Sequence, residues 1–344
     1  MKNNNVEPIY SDAIESAFKK FDLGSSVDYS IQGPTFTRYL VSPNPGTAVS
    51  AIMKKAEEIA AAINVEGARI AGPVAELAAI AVEIPNKHRD IIRFEDLLPS
   101  LHESKYQLPV ALGRTTEGED YLINLSTAPN ILIAGNQESG KTMVIHSIIC
   151  SLYCTKSADE LRFVLVQPGR GDLELYRDFE CLERPVITKV EDVFTMLEEM
   201  VVEVERRMNL FADYKVHKLN DFNEKCSDKI PYIIIIFDEI AEIVKQDGNR
   251  FDYLIKRLTS IGRFLGIHFI LSTRWAHPDV ISEIIWSNMP TRIALQLPEK
   301  NNSKFFIGFD GAEKLLGKGD MLYYCEATVR KPVRIQGVLC GPDK

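Results

Sequence analysis

The chain has 344 residues, of which 45% are hydrophobic and 26% are charged, and its net charge is −8. This length and composition are typical of a globular protein with two ordinary domains. The negative net charge excludes a wholly basic surface but is compatible with a local basic stripe. No apolar run approaches the roughly 18 residues that a membrane span requires, and the first residues do not resemble a signal peptide.

Cysteine spacing bears on metal binding and location. The six cysteines lie at positions 150, 154, 181, 226, 325 and 340. Cys150 and Cys154 are one helical turn apart, but no second pair follows at the spacing of metal ligands. We therefore expect reduced cysteines, no zinc site and a cytoplasmic protein, with membrane tethering only if a longer protein carries an anchor.

Residues 1–108 predict a small α+β domain that lacks a strand–helix–strand rhythm. Proline and glycine residues between positions 98 and 116 mark the junction to a second domain, residues 109–344. The elements predicted in the first domain are strands near 27–31, 36–41, 69–71 and 78–84 and a helix over 48–63.

From residue 122 onward, strands and helices alternate. This rhythm predicts an α/β domain with a mostly parallel, doubly wound sheet. Strands are expected near 131–134, 162–166, 185–187, 232–237, 267–272 and 291–297, and helices near 142–154, 190–216, 250–264 and 278–287.

Residues 135–142 fit the phosphate-binding pattern G-x-x-x-x-G-K-[ST]. An apolar predicted strand precedes the pattern and a predicted helix follows it, so backbone N–H groups and the helix N-terminus can bind the phosphates of ATP. Lys141 would neutralise the terminal phosphates, and the Thr142 hydroxyl would ligate Mg²⁺. The predicted nucleotide-binding residues are Gly135, Asn136, Gln137, Glu138, Ser139, Gly140, Lys141 and Thr142.

A second motif, YIIIIFDE at residues 232–239, ends a continuous apolar run in two carboxylates. Such a run is typical of a parallel strand that is covered on both faces, and ligands of open α/β sheets bind at the carboxyl ends of strands. Asp238 is predicted to hold Mg²⁺, and Glu239 is predicted to polarise the attacking water.

Five further segments carry a resemblance to a known family. They read GPTFTRY at 33–39, VEIPNK at 82–87, GRFLGIH at 262–268, NMPTRIA at 288–294 and GAEKLLGKGDML at 311–322. Together with the two motifs above they resemble the FtsK/SpoIIIE family over nearly the whole chain. The resemblance implies a RecA-like, Mg²⁺-dependent P-loop ATPase that forms a homo-oligomeric ring, a hexamer, and pumps double-stranded DNA, as in chromosome partition.

The resemblance also implies roles for individual residues. Arg263 matches an arginine finger that acts on the ATP of the adjacent subunit and stabilises charge in the transition state. Lys300 and Lys304, expected in a polar loop, resemble by position a pore loop that contacts DNA phosphates. Lysines suit this task because they bind the phosphates of any sequence.

The chain also departs from the family pattern. It has STRWA at 272–276, where the family has ATQRP, so Arg274 replaces a glutamine and Trp275 an arginine. Arg274 is a candidate contact to the γ-phosphate or to DNA in the pore, whereas Trp275 cannot neutralise a phosphate. The family's D-P-K is replaced by QPG at 167–169. Because three residues follow Gly341, we expect no C-terminal winged helix, and the chain is either a motor fragment or a stand-alone motor.

These features predict an ATP-driven translocase of double-stranded DNA. Two alternatives are an ATPase related to type VII secretion, which moves protein, and a conjugative coupling ATPase, which moves a DNA–protein complex. The acidic balance and Trp275 are compatible with the first alternative, whereas the N-terminal motifs and the 311–322 segment favour DNA.

Overall fold

The structure, a computed structural model, describes residues 10–74, 79–169 and 171–341. The chain divides into two compact units, one formed by residues 1–92 with 114–120 and the other by residues 93–113 with 121–344. The domain boundary expected at residue 108 differs from this division, because residues 93–108 group with the second unit. Ala78, the first residue of one predicted strand, lies outside the described residues.

The first unit contains an antiparallel sheet with helices packed on one face. Its elements are α1 (Ser11–Lys19), β1 (Ser25–Gln32), β2 (Phe36–Pro43), α2 (Val49–Lys54), α3 (Ala56–Ile63), β3 (Arg69–Val74) and β4 (Ala79–Pro85). The strand order is β1-β2-β4-β3. Phe18 and Ile59 from the helices pack with Val41 and Val82 from the sheet in one buried cluster. The predicted helix over 48–63 is two helices that meet at Lys55.

The second unit is built around a nine-stranded sheet. Its elements are α4 (Leu98–Glu103), β5 (Pro109–Thr115), β6 (Asp120–Asn124), β7 (Ile131–Ala134), α5 (Lys141–Thr155), β8 (Leu161–Val166), α6 (Val190–Asp213), α7 (Leu219–Lys225), β9 (Tyr232–Phe237), α8 (Ala241–Gly262), β10 (Ile267–Thr273), α9 (Glu283–Asn288), β11 (Thr291–Ala294), α10 (Lys300–Ile307), β12 (Asp320–Cys325) and β13 (Val333–Gly337). The strand order is β6-β5-β13-β12-β11-β7-β10-β9-β8.

The sheet is mixed in direction. The strands from β11 to β8 are parallel to one another, whereas β12 is antiparallel to both β11 and β13. Every residue of β7, β9 and β10 is buried, because helices cover both faces of the parallel half. The predicted P-loop ATPase fold with a preceding α+β module is confirmed.

Several expected elements need correction. The strand predicted at 185–187 is absent from this described stretch, where Ile187 forms only an isolated bridge with Val166. The strand predicted at 291–297 ends at Ala294, and the helix predicted at 278–287 is limited to α9, whose N-cap Ser282 accepts a hydrogen bond from the Ile285 N–H. Within the described residues, no helix has the length and apolar character needed to cross a bilayer.

The imidazole of His268 in β10 is fully buried, and neither of its nitrogens has a hydrogen-bond partner among the residues that the structure describes. It stacks on Tyr232 of β9, with ring centroids 6.0 Å apart. Burial lowers the pKa of His268 to about 4, because the charged imidazolium is costly to desolvate. The histidine is therefore neutral in the folded protein at neutral pH.

This burial predicts a pH-dependent stability. An unfolded histidine has a pKa of about 6.5, so between that value and about 4 the unfolded chain binds a proton that the folded chain does not. Stability should therefore fall as the pH falls through this window, by roughly 2 kcal/mol between about pH 7.5 and pH 5. Urea unfolding at both pH values, followed by circular dichroism, measures the effect. His268→Leu should lose this part of the pH dependence, and an unchanged dependence would contradict the assignment.

Candidate active site

The phosphate-binding loop connects β7 to α5 at the carboxyl edge of the parallel strands. Gly140, directly before α5, has a φ of +110°, and a Cβ at this position would lie 2.7 Å from the backbone nitrogen of Gly319. Both the left-handed conformation and the close backbone approach therefore require glycine. The Gly319 N–H donates to the Ser139 carbonyl at 2.8 Å. The 311–322 segment thus supports the loop.

The start of the loop is held by the two strands that flank β7. The Gly135 N–H donates to the Thr273 carbonyl of β10 at 3.3 Å, and the Asn136 N–H donates to the Gln296 carbonyl beyond β11 at 2.8 Å. The Ser139 hydroxyl donates to the Asn136 carbonyl at 2.7 Å. Gln137 and Glu138 are exposed between these anchored ends. The loop is therefore shaped by its neighbours as well as by its own sequence.

Lys141 is folded back over the loop. Its Nζ donates to the carbonyls of Gly135 at 2.7 Å and Asn136 at 2.8 Å. Burial lowers the pKa of Lys141, while the nearby carboxylates of Glu239 and Asp238 act to raise it. The predicted phosphate-binding lysine and the two predicted catalytic carboxylates are thus brought together.

Asp238 follows β9 and is hydrogen-bonded to a glutamine. The Gln167 Nε2 donates to the Asp238 Oδ2 at 2.5 Å, and the Gln167 Oε1 accepts from the Leu173 N–H at 2.9 Å. Burial raises the pKa of Asp238, and the Gln167 hydrogen bond and Lys141 oppose that rise. Gln167 therefore orients the carboxylate and connects it to the segment that follows β8.

Glu239 has a left-handed backbone, with a φ of +79°. Its Oε1 accepts from the Thr273 hydroxyl at 2.8 Å and the Ala241 N–H at 3.1 Å. Its Oε2 accepts from the N–H and the Nε of Arg274, both at 3.0 Å. The unusual backbone conformation turns the carboxylate toward the end of β10.

The residues present fit a magnesium ion. The Thr142 hydroxyl lies on the first turn of α5, and the carboxylate of Asp238 lies at the end of a parallel strand on the same edge of the sheet. Hydroxyl and carboxylate oxygens are the hard donors that Mg²⁺ prefers, and this ion commonly takes one or two carboxylates together with substrate phosphates. Thr142 and Asp238 would hold the ion.

Arg263 lies at the opposite edge of the sheet from the phosphate-binding loop. It follows α8 and precedes β10, whose far end contacts the loop through the Thr273 carbonyl. A strand of this length spans about 20 Å, which is beyond the reach of an arginine side chain. The guanidinium lies 4.6 Å from the ring centroid of Phe264. Arg263 is therefore not placed to contact ATP bound in its own chain.

The two residues that depart from the family pattern lie directly after β10. Half of the Arg274 side chain is exposed, yet its Nε is bound to Glu239. Trp275 is 59% exposed, and its N–H donates to the Thr273 hydroxyl at 3.1 Å. Arg274 thus contacts the predicted catalytic base, while the indole of Trp275 faces solvent.

Lys300 and Lys304 lie on a helix, so the expectation of a polar loop was wrong. Helix α10 begins at Lys300, and the two side chains lie one turn apart on one face. Their Nζ atoms lie 3.3 and 3.6 Å from the carboxylate of Asp310. The helix forms because Ser303, Phe306 and Ile307 are buried. Both lysines are half exposed.

Gln167 and Thr273 are site residues whose roles the sequence analysis missed. Each lies at the carboxyl end of a strand, β8 or β10, next to β9 in the sheet. The rule that ligands bind at this edge is a signal that could have found them, once the strand order was known.

Comparison with known proteins places the chain in a family. The FtsK/SpoIIIE family model matches residues 98–282, and the FtsK alpha domain model matches residues 3–86. The chain belongs to the FtsK/SpoIIIE family. It is 34% identical over 349 residues to the DNA translocase FtsK of Borreliella burgdorferi. That alignment covers 97% of this chain and 44% of the relative. The DNA translocase FtsK of Staphylococcus epidermidis is 34% identical over 343 residues, covering 96% and 43%. The chain thus spans less than half the length of these FtsK relatives.

Solved structures support the fold of this FtsK/SpoIIIE member. The pCW3 conjugation coupling protein TcpA, a monomer form with ATPγS, has a TM-score of 0.63 at 18% identity and covers 96% of this chain and 94% of its own. The cytoplasmic domain of the type VII secretion ATPase EccC from Thermomonospora curvata has a TM-score of 0.60 at 20% identity, covering 67% and 28%. At these identities the similarity establishes the fold.

Proposed function

We propose that this member of the FtsK/SpoIIIE family hydrolyses ATP to move double-stranded DNA through a homo-oligomeric ring, a hexamer. The observation that carries the proposal is the convergence of Lys141, Asp238 and Glu239 at one edge of the sheet, with Arg263 at the opposite edge. One edge thus carries the phosphate-binding and hydrolytic groups, and the opposite edge carries Arg263, which can contact an adjacent protomer. The identity to DNA translocases over both units supports DNA as the substrate.

Each of these residues has its own role in ATP hydrolysis. The backbone of residues 135–142 would bind the phosphates, and Lys141 would shift from the loop carbonyls to the terminal phosphates. Glu239 would orient the attacking water and accept its proton. When bound through Thr142 and Asp238, Mg²⁺ would neutralise charge on the β- and γ-phosphates.

We assign Arg263 to the ATP of the adjacent protomer. Because it lies at the far end of β10 from its own loop, it can complete a site only across a subunit interface. In a ring, every protomer would then complete its neighbour's site. This arrangement would make hydrolysis depend on assembly and would allow each hydrolysis event to move the adjacent subunit.

We assign DNA contact to Lys300 and Lys304 on α10 and to Arg274. The two lysines are half exposed and one turn apart, so both can meet successive phosphates of a duplex. Arg274 lies beyond β10, at the edge of the sheet where the hydrolytic residues meet. Arg274 is therefore close in the fold to the residues proposed to hydrolyse ATP.

The experiment that tests the proposal is steady-state ATP hydrolysis with and without linear duplex DNA, with electron microscopy of the same particles. We expect rings and a rate that rises with duplex. A verified ring whose rate does not respond to duplex would overturn the DNA assignment. Salt-dependent duplex binding separates a DNA substrate from the protein substrate of the type VII alternative, because phosphate contacts release counterions.

We predict that Lys300→Ala combined with Lys304→Ala weakens duplex binding. Removing two phosphate contacts should lower the slope of log affinity against log salt by about 2. It should also raise the duplex concentration that half-maximally stimulates each variant over its own basal rate. The matched control is Lys225→Ala with Lys229→Ala, two exposed lysines near the amino end of β9. If both double variants keep the same salt slope as the unmodified chain, the α10 contact is wrong.

A further inference from the structure

The carboxylate of Glu239 has no free acceptor site in this structure. A carboxylate offers about four lone-pair directions. Four donors occupy them here, namely the Thr273 hydroxyl, the Ala241 N–H, the Arg274 N–H and the Arg274 Nε. A base that must accept a hydrogen bond from water therefore has to lose one of these donors first.

The four donors differ in how easily they can leave. Two are backbone N–H groups, and the third is the hydroxyl of Thr273, which is fully buried in β10. The fourth is the Arg274 side chain, which is 51% exposed. Its departure requires only a change of side-chain rotamer, whereas the others require movement of backbone or core.

A guanidinium at this position can exchange one anion for another. It pairs with phosphate oxygens as readily as with a carboxylate, and often through two hydrogen bonds. A phosphate group near the end of β10 would therefore compete with Glu239 for Arg274. Such a phosphate comes either from the DNA backbone or from the bound nucleotide.

We propose that Arg274 is a positioning residue that restrains Glu239 in the resting chain and releases it when a phosphate group binds the guanidinium. The inference rests on the proposed function, since it assigns Glu239 as the base of ATP hydrolysis. It adds a means by which substrate contact is coupled to hydrolysis. Before release, all lone pairs of the Glu239 carboxylate accept hydrogen bonds from protein donors. After release, the Oε2 of Glu239 can accept a hydrogen bond from water.

The test is the basal rate of Arg274→Ala without DNA. Loss of one charge-assisted hydrogen bond shifts an equilibrium by roughly tenfold, so basal kcat should rise by about that factor. Arg274→Lys, which keeps the charge, should restore part of the restraint. The matched control is Arg257→Ala, since Arg257 is similarly exposed and pairs with a glutamate on α6. Its basal kcat should not rise. A basal kcat of Arg274→Ala that is unchanged or lower would overturn the proposal.

A second measurement excludes a merely structural role. In a Glu239→Gln background, Arg274→Ala should give no rise in the residual rate, because no carboxylate remains to be released. A rise in that background would overturn the proposal. The two readouts together require that Arg274 acts through Glu239.

Adding duplex DNA distinguishes the source of the phosphate and separates this proposal from the proposed function. If DNA is the source, Arg274→Ala has a raised basal rate and little further stimulation by duplex. If the nucleotide is the source, the basal rate is raised, stimulation is retained and the KM for ATP rises, because the variant has lost a contact to the nucleotide phosphate. If Arg274→Ala has a raised basal rate but duplex does not stimulate the unmodified chain, the restraint is supported and DNA is not the substrate. If duplex stimulates the unmodified chain but the basal rate of Arg274→Ala is not raised, the restraint is wrong and the proposed function stands.

Discussion

The Lys141→Ala variant is expected to lose productive use of ATP, with kcat/KM reduced by roughly a hundredfold or more. The Lys141 Nζ is held by two carbonyls of the loop and lies close to Asp238 and Glu239. Its removal takes away the cation that meets the phosphates. It also leaves two carboxylates uncompensated, and these repel a triphosphate. Phosphate release and binding of a fluorescent ATP analogue measure the loss.

A matched control for this variant lies on the same helix. Lys156 caps the far end of α5, and its Nζ lies 3.4 Å from Glu160. Lys156→Ala should retain hydrolysis because the change is at the end of α5 remote from the loop. If the kcat/KM of Lys141→Ala is no lower than that of Lys156→Ala while both variants remain folded, the phosphate-binding assignment is wrong.

The Glu239→Gln variant is expected to bind ATP but to hydrolyse it roughly a hundred- to ten-thousandfold more slowly, the range that general base catalysis contributes. The amide occupies the same volume and keeps one oxygen for the Thr273 hydroxyl or the Ala241 N–H. It cannot accept a proton from the attacking water at neutral pH. Nucleotide should therefore stay bound, which favours a ring locked in its ATP state.

Glu242 provides the matched control for this change. It is exposed on the first turn of α8, three residues after Glu239. Glu242→Gln removes the same charge without touching the donors around Glu239, and it should hydrolyse ATP at the unmodified rate. A single-turnover rate of Glu239→Gln that matches this control would assign the base to another residue.

Periodicity predicted the elements that are buried along their whole length. The runs that became β7 and β9 are continuously apolar, and no surface alternation competes with that signal. Helix α8 shows a limit of this reasoning. The helix was predicted to start at residue 250, but α8 begins at Ala241 and contains an interruption at Asp247, whose φ is −155°. The predicted start was therefore wrong, because the turns before the interruption were left out of the helix.

The strands beyond β11 in the sheet were not predicted. Strand β5 lies in the predicted junction and β12 overlaps the 311–322 motif, whereas no element was assigned to the segments of β6 and β13. Their arrangement joins segments far apart in the chain, since β5 lies beside β13 in the sheet. Buried Arg334 of β13 also donates to both carboxylate oxygens of Asp320. Short strands held by such partners carry little local signal.

The amino-acid sequence by itself determined the nucleotide-binding chemistry, because the glycines, the lysine and the carboxylates occur at a spacing that a strand–loop–helix unit can present to phosphates. The tertiary structure decided which groups control those residues. Strand order brings Gln167 to Asp238 and places Thr273 and Arg274 around Glu239, and it separates Arg263 from its own loop by the length of β10. Such relations depend on contacts between strands that are distant in the chain, and neither residue type nor local spacing records them.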